Sequence, residues 1–146
     1  MNIVDKAFLF AKTKHDATGK QYNGQPYIIH PTTTYYILAI VSKGDENLLA
    51  AGYLHDTLED TNTTYEELVK EFNEDVASLV KEVTKDENKD FPNIKTGRGL
   101  MLKVADRLAN VGDLDNASPE KKVKLFRKYS YGFIHEGTVL KNSPVS

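Results

Sequence analysis

The sequence contains no cysteine, and no apolar run in it approaches the roughly 18 residues of a membrane-spanning helix. Without cysteine the chain cannot form a disulfide bond, a thiolate zinc site or a cysteine nucleophile, and this composition fits a reducing cytoplasm. A charged residue already stands at Asp5, which is too early for a signal peptide. We therefore expect a cytoplasmic protein that does not enter a membrane.

An excess of charge of one sign is also missing. The chain has 19 Lys and Arg against 21 Asp and Glu, a formal net charge of −2. Affinity for nucleic acid depends on an excess of cationic side chains that face phosphates, so we expect no nucleic-acid partner. Hydrophobic residues make up 40% of the 146 residues, which is enough for a core. We expect one domain over residues 1–146, with a frayed end at 141–146.

Prolines are few and lie between stretches that show the 3.6-residue apolar period of amphipathic helices. Thr64 begins a capping-box sequence, which is typical of a helix start. No run alternates convincingly at a period of two, so we expect no strands. The stretches 15–25 and 85–95 are predicted to be polar loops, and His15 and His135 are expected at the surface. The predicted fold class is all-α, with six or seven helices over 3–14, 31–43, 46–57, 64–72, 76–83, 100–111 and 118–135.

The residues richest in chemical function lie together near the middle of the chain. His55 and Asp56 are adjacent at the end of an apolar helix, and Glu59 and Asp60 each follow one of them by four residues. This helical spacing gathers three carboxylates and an imidazole within about one turn. A divalent cation would offset the repulsion among these acids. A solvated acidic turn at a fraying helix end explains this segment alone equally well.

Two further segments supply the same types of ligand. His30 stands between an apolar tripeptide and Pro31, and Asp106 lies in a helical stretch beside Arg107. Taken alone, His30 could be a buried histidine bonded to a backbone carbonyl, and Asp106 could form a weak surface ion pair with Arg107. Taken together with the central segment, they give two imidazoles and two carboxylates, a workable ligand set for a catalytic divalent metal. The four candidates are His30, His55, Asp56 and Asp106.

Three segments together resemble the HD-domain metal-dependent phosphohydrolases, and more narrowly the (p)ppGpp hydrolase domain of the RelA/SpoT homologue family, including its small alarmone hydrolases. They are Gly-Gln-Pro-Tyr-Ile-Ile-His-Pro at 24–31, Leu-His-Asp-Thr-Leu-Glu-Asp-Thr at 54–61 and Lys-Val-Ala-Asp-Arg-Leu-Ala-Asn at 103–110. The resemblance implies a compact HD-domain helical bundle. It also implies removal of the 3′-pyrophosphate from ppGpp or pppGpp, which leaves GDP or GTP.

The resemblance implies roles for individual residues as well. Glu59 and Asp60 match the acidic pair that positions and activates the attacking water. Asn110 matches an asparagine that contacts the substrate nucleoside, and Lys103 in the same segment is a further candidate for substrate binding. The implied cofactor is one divalent metal, usually Mn²⁺, which lowers the pKa of its bound water and offsets charge on phosphoryl oxygens. Its implied ligands are His30, His55, Asp56 and Asp106.

One segment departs from the resemblance. Before the Gly-x-Pro-Tyr turn, the family often has an Arg that stacks on the purine and then a Lys, whereas this chain has Gln21 and Tyr22. Either Lys20 supplies the cation or Tyr22 stacks on the base, so both are candidates for substrate binding. The departure keeps open a phosphohydrolase of the same group that acts on another nucleotide. A third alternative is a metal-binding interaction module without turnover, and the intact pair of Glu59 and Asp60 argues against it.

Overall fold

The computed structural model describes residues 1–85 and 92–110, together with five helical positions between 119 and 127. Helices dominate these residues, and the sheet found among them is a two-stranded hairpin, so the predicted all-α class is confirmed. The hairpin consists of β1 (Gln21–Tyr22) and β2 (Gln25–Pro26). The helices are α1 (Ile3–Thr18), α2 (Ile29–Val41), α3 (Glu46–Leu54), α4 (Thr57–Asp60), α5 (Tyr65–Glu71), α6 (Glu74–Val83) and α7 (Gly97–Ala109).

Five of the helices have an N-cap residue whose side chain accepts a hydrogen bond from a backbone N–H of the first turn. The start predicted at Thr64 is confirmed, since its Oγ1 accepts from the backbone N–H of Glu67 at 3.1 Å. A cap of this kind stabilises a helix by about 1 kcal/mol, because it satisfies a donor that has no partner within the helix. The other four caps are Asn2, Asp45, Asn73 and Thr96.

The core lies around α3, which is buried along nearly all of its length and packs against α1, α2 and α6. Gly52 permits a close approach between α3 and α2. A Cβ atom at this position would lie 2.8 Å from Cδ1 of Leu38 and 3.4 Å from Cα of Tyr35. The absence of a side chain therefore lets the two helices pack tightly. Their contact brings His30, at the start of α2, within reach of His55, just after α3.

The expectation that His15 lies at the surface is wrong. α1 continues past the predicted end at residue 14 to Thr18, and Gly19 ends it in the left-handed conformation with φ of 72°. His15 therefore lies in the last turn of α1, where it is fully buried. Its polar neighbours in the sequence suggested a loop and concealed the helical phase. His135 lies outside the described residues.

The hairpin corrects the expectation that the chain has no strands. β1 and β2 contain two residues each, which is too short for an alternating pattern. The signal that could have revealed them is the Asn-Gly pair between the strands. Asn23 and Gly24 have φ of 51° and 78°, and a two-residue type I′ turn requires positive φ at both of its central positions.

The other helix boundaries agree with the predictions to within a few residues. α2 begins two residues earlier than predicted, at Ile29, and α7 begins three residues earlier, at Gly97. The five described positions of the helix predicted over 118–135 are helical, and its other residues lie outside the described part, as do residues 86–91. The single domain over 1–146 stays a prediction. Among the described residues, no helix has the length and apolar character needed to cross a membrane.

Candidate metal centre

The four candidate ligands come from elements whose ends meet. His30 lies in the first turn of α2, and Asp106 lies in the last turn of α7. α3 ends immediately before His55, and Asp56 immediately precedes α4. The single helix predicted over 46–57 is therefore wrong, because the chain turns at these two residues. The turn lets both side chains reach the side chains on α2 and α7.

The ligand atoms of these residues form a tight cluster. Nε2 of His30 and Nε2 of His55 lie 3.2 Å apart. Oδ1 of Asp106 lies 2.9 Å from the former and 3.2 Å from the latter. Oδ2 of Asp56 lies 3.5 Å and 3.1 Å from the same two nitrogens. Atoms that ligate one cation at about 2.1 Å lie about 3.0–3.5 Å from one another, so this mixed nitrogen and oxygen set fits a single divalent metal.

The two imidazoles are held in different ways. Nδ1 of His55 donates to the carbonyl of Gly52 at 2.8 Å, so in the neutral ring the lone pair of Nε2 faces the cluster. Nδ1 of His30 is buried and has no polar partner in the described part of the chain. The interpretation of His30 as a buried histidine bonded to a backbone carbonyl is therefore wrong. Its ring is instead stacked on Tyr22, with centroids 5.1 Å apart and an interplanar angle of 29°.

Asp106 does not form the surface ion pair with Arg107 that its sequence position allowed. Its carboxylate is largely buried, and it contacts both histidines through Oδ1. Its other oxygen, Oδ2, accepts from Nζ of Lys103 at 3.0 Å. Asp106 is therefore oriented toward the cluster and balanced by a cation one helical turn away.

The cluster has a strongly perturbed electrostatic environment. Burial opposes the charge on His55, but the carboxylates of Asp56 and Asp106 raise its pKa well above the ordinary value. Burial also opposes ionisation of Asp56, but the neighbouring imidazole of His55 lowers the pKa of Asp56 to about 2. The pKa of Asp106 is likewise lowered, against burial, by the two histidines and by Lys103. Two ionised carboxylates thus face a buried site, and such a site attracts cations.

Tyr27 is a residue of this site to which the sequence assigned no role. Its hydroxyl donates to Oδ2 of Asp56 at 2.6 Å and lies 3.3 Å from Oδ2 of Asp60. Burial, and then the Asp56 carboxylate, raise the pKa of Tyr27, so the hydroxyl stays protonated and remains a donor. The sequence did offer one indication of this role, because Tyr27 belongs to the same 24–31 segment as His30.

The two acids of α4 face different surroundings. Glu59 lines the pocket beside the cluster, and its Oε1 accepts from the backbone N–H of Lys85 at 2.8 Å. Oδ2 of Asp60 lies 3.3 Å from the hydroxyl of Tyr27 and 3.3 Å from Nζ of Lys20. Lys20 extends over the ring of Tyr27, with its Nζ 4.9 Å from the centroid. The structure therefore brings Glu59, but not Asp60, to the pocket wall.

A pocket of about 250 Å³ opens beside the cluster of candidate metal ligands. Three of the four candidates for substrate binding line it, namely Tyr22, Lys103 and Asn110, whereas Lys20 lies outside its described wall. The hydroxyl of Tyr22 donates to Oδ1 of Asn110 at 2.8 Å, which links the hairpin to the end of α7. The full wall consists of Tyr22, Tyr27, His30, Asp56, Glu59, Lys85, Pro92, Lys103, Asp106 and Asn110.

Residues 7–96 match a family model described as an HD domain. This chain belongs to the HD-domain family. It is 37% identical over 134 residues to the guanosine-3′,5′-bis(diphosphate) 3′-pyrophosphohydrolase MESH1 of Xenopus tropicalis, and the match covers 81% of this chain and 73% of MESH1. The predicted membership of the HD phosphohydrolase group is therefore confirmed, and an HD domain implies a divalent metal.

Other relatives of this HD domain include much longer proteins. It is 38% identical over 138 residues to the guanosine-3′,5′-bis(diphosphate) 3′-pyrophosphohydrolase of Aquifex aeolicus, a match that covers 86% of this chain and 20% of that protein. The chain therefore spans about a fifth of the length of such relatives. A solved structure described as a metazoan orthologue of SpoT that hydrolyses ppGpp superposes with a TM-score of 0.66 at 27% identity, covering 88% of this chain and 83% of that one.

Proposed function

We propose that this HD domain is a Mn²⁺-dependent hydrolase that removes pyrophosphate from the 3′ position of ppGpp and pppGpp and leaves GDP or GTP. The observation that carries the proposal is the cluster itself. Each of two imidazole nitrogens lies 2.9–3.5 Å from both of two carboxylate oxygens, and His30, Asp56 and Asp106 of this cluster line a pocket. Support also comes from MESH1 and the Aquifex protein, which bear the name of this activity.

The metal would be held by His30, His55, Asp56 and Asp106. A bound divalent cation lowers the pKa of a coordinated water and stabilises charge on phosphoryl oxygens. Carboxylates suit Mn²⁺, whereas imidazole suits several divalent transition metals, so our choice of Mn²⁺ follows the resemblance to the (p)ppGpp hydrolases. The hydroxyl of Tyr27 orients the carboxylate of Asp56 by donating to its Oδ2.

We assign proton transfer to Glu59. Its carboxylate lines the pocket, and the backbone N–H of Lys85 fixes one of its oxygens. A carboxylate held in this way can accept a proton from the attacking water, and a positioned base contributes roughly 10²–10⁴-fold to a rate. We assign Asp60 a supporting role instead, because its carboxylate contacts the hydroxyl of Tyr27 and the ammonium of Lys20.

The substrate we propose carries several phosphate charges, and the pocket wall includes two lysines. Lys85 and Lys103 line the pocket together with the carboxylates, and such cations attract anionic groups. Asn110 and Tyr22 lie on the same wall and would contact the nucleoside. We place the reaction in the cytoplasm, in keeping with the absence of cysteine, and we propose no nucleic-acid partner.

The test is a nucleotide panel assayed with the purified chain after removal of metal and again after addition of Mn²⁺. We expect Mn²⁺-dependent formation of pyrophosphate and GDP from ppGpp, with little free orthophosphate. His55→Ala should abolish turnover, because it removes one of the four ligands. Tyr36→Phe is a matched control, since Tyr36 is 61% exposed on α2 and lies outside the pocket.

The other outcomes discriminate among alternatives. Orthophosphate as the sole product, or turnover of another nucleotide while ppGpp is left intact, would overturn the substrate and leave the metal site standing. Metal binding without hydrolysis of any nucleotide in the panel would identify a metal-binding interaction module instead.

A further inference from the structure

His30 lacks the support that metal-binding histidines usually have. The second ring nitrogen of such a histidine normally donates to a carbonyl, a carboxylate or water, and that bond fixes the orientation of the ring. Nδ1 of His55 follows this rule through the carbonyl of Gly52. Nδ1 of His30 is buried without a polar partner in the described part of the chain, so another contact must hold this imidazole.

The ring of Tyr22 lies against the face of the His30 imidazole. The two ring centroids are 5.1 Å apart and the planes are inclined by only 29°. The other aromatic neighbours, Tyr27 and His55, meet the same imidazole at 64° and 69°, so they contact it in edge-to-face geometry. Tyr22 therefore supplies the parallel aromatic contact to this ring.

Tyr22 is itself fixed at both ends. Its backbone belongs to β1, immediately before the tight Asn23–Gly24 turn. Its hydroxyl donates to Oδ1 of Asn110, the residue that caps the C-terminus of α7. The ring is thus held between the hairpin and the helix that carries Asp106.

We propose that Tyr22 is a positioning residue of the metal centre, whose clamped ring holds the imidazole of His30 so that Nε2 faces the cation. This inference rests on the metal site in the proposed function. It differs from the role of base stacking considered from the sequence, because it gives Tyr22 an effect on metal affinity in the absence of any nucleotide. Partners that orient a metal ligand typically contribute roughly 10–100-fold to metal affinity.

The test measures the Mn²⁺ dissociation constant without nucleotide, from the electron paramagnetic resonance signal of free Mn²⁺. Tyr22→Leu removes the ring, and we expect roughly tenfold or greater weakening. Tyr22→Phe keeps the ring and its anchor in β1 but loses the bond to Asn110, so it should weaken binding clearly less than Tyr22→Leu. Tyr36→Leu, at the exposed tyrosine of the same helix as His30, is the control and should match the wild type.

The possible outcomes separate the positioning role of Tyr22 from the proposed hydrolase function. A Tyr22→Leu chain that binds Mn²⁺ as tightly as the wild type overturns the positioning role and leaves the proposed function intact. Equal weakening in Tyr22→Phe and Tyr22→Leu overturns it too, since the hydroxyl rather than the ring would then be responsible. A wild-type chain that binds no Mn²⁺ overturns the proposed function itself. Circular dichroism of the metal-free variants checks folding, and Tyr22→Gln provides a second ring-free variant if Tyr22→Leu fails to fold.

Discussion

Replacing Tyr27 by phenylalanine removes one hydroxyl and keeps the aromatic ring. That hydroxyl donates to Oδ2 of the buried Asp56 at 2.6 Å, and the ring packs on His15 with centroids 4.5 Å apart. A hydrogen bond to a charged group contributes about 1.5–3 kcal/mol to stability. We expect metal-free Tyr27→Phe to lose about that much free energy of unfolding at pH 7, which corresponds to a fall of several degrees in Tm.

The measurement is urea unfolding of the wild type and the variant in the presence of a chelator. Tyr53→Phe is the matched control, because Tyr53 is as buried as Tyr27, with 8% and 7% exposed, and its hydroxyl makes no hydrogen bond among the described residues. The control should therefore lose much less stability. Equal losses in the two variants would refute the reasoning, since the contact with Asp56 would then contribute nothing measurable.

Three further predictions concern the acid, the buried histidine and the exposed lysine. Glu59→Gln should retain Mn²⁺ by elemental analysis and lose roughly 10²–10⁴-fold in kcat, and an unchanged kcat would contradict its role as a base. Burial lowers the pKa of His15 below 6.5, so the unfolded chain binds this proton first and stability falls as the pH drops below that value. Thermal melts of His15→Leu should therefore show a shallower loss between pH 7 and pH 5 than the wild type, and an identical slope would contradict this. Lys20→Met should change stability by less than about 1 kcal/mol, because its ion pair with Asp60 is half exposed. If Lys20 contacts substrate, the same variant raises the KM for ppGpp and largely keeps kcat, whereas an unchanged KM removes it from the binding residues.

The candidate ligands could be predicted because each stands in a short segment whose composition is unusual for its place. His30 follows an apolar run and precedes a proline, and His55 with Asp56 ends an apolar helix. What spacing could not predict is the interruption of the helix at His55. Local propensity allows the helix to continue through Thr57, so the break is a feature of the tertiary structure.

The supporting residues were harder to predict, because their roles depend on contacts between distant parts of the chain. Tyr27 meets Asp56 across 29 residues, and Tyr22 meets Asn110 across 88. The hydrophobic periodicity of a sequence does not predict contacts between such distant residues. His15 was missed for a local reason, since the charged residues around it occupy the other faces of α1 and made the segment resemble a loop.

Gly52 has two structural roles, and together they limit which substitutions the chain can accept during evolution. It sets the separation between α3 and α2, and its carbonyl also orients the imidazole of His55. A substitution at Gly52 would disturb both the packing of α3 on α2 and the orientation of His55. The position of the imidazole ligands is therefore coupled to the packing of the core. The two carboxylates depend on other donors instead, because Tyr27 holds Asp56 and Lys103 holds Asp106. Variation in metal preference among descendants of this chain should therefore accumulate around the carboxylates and their donors, while the two histidines stay as they are.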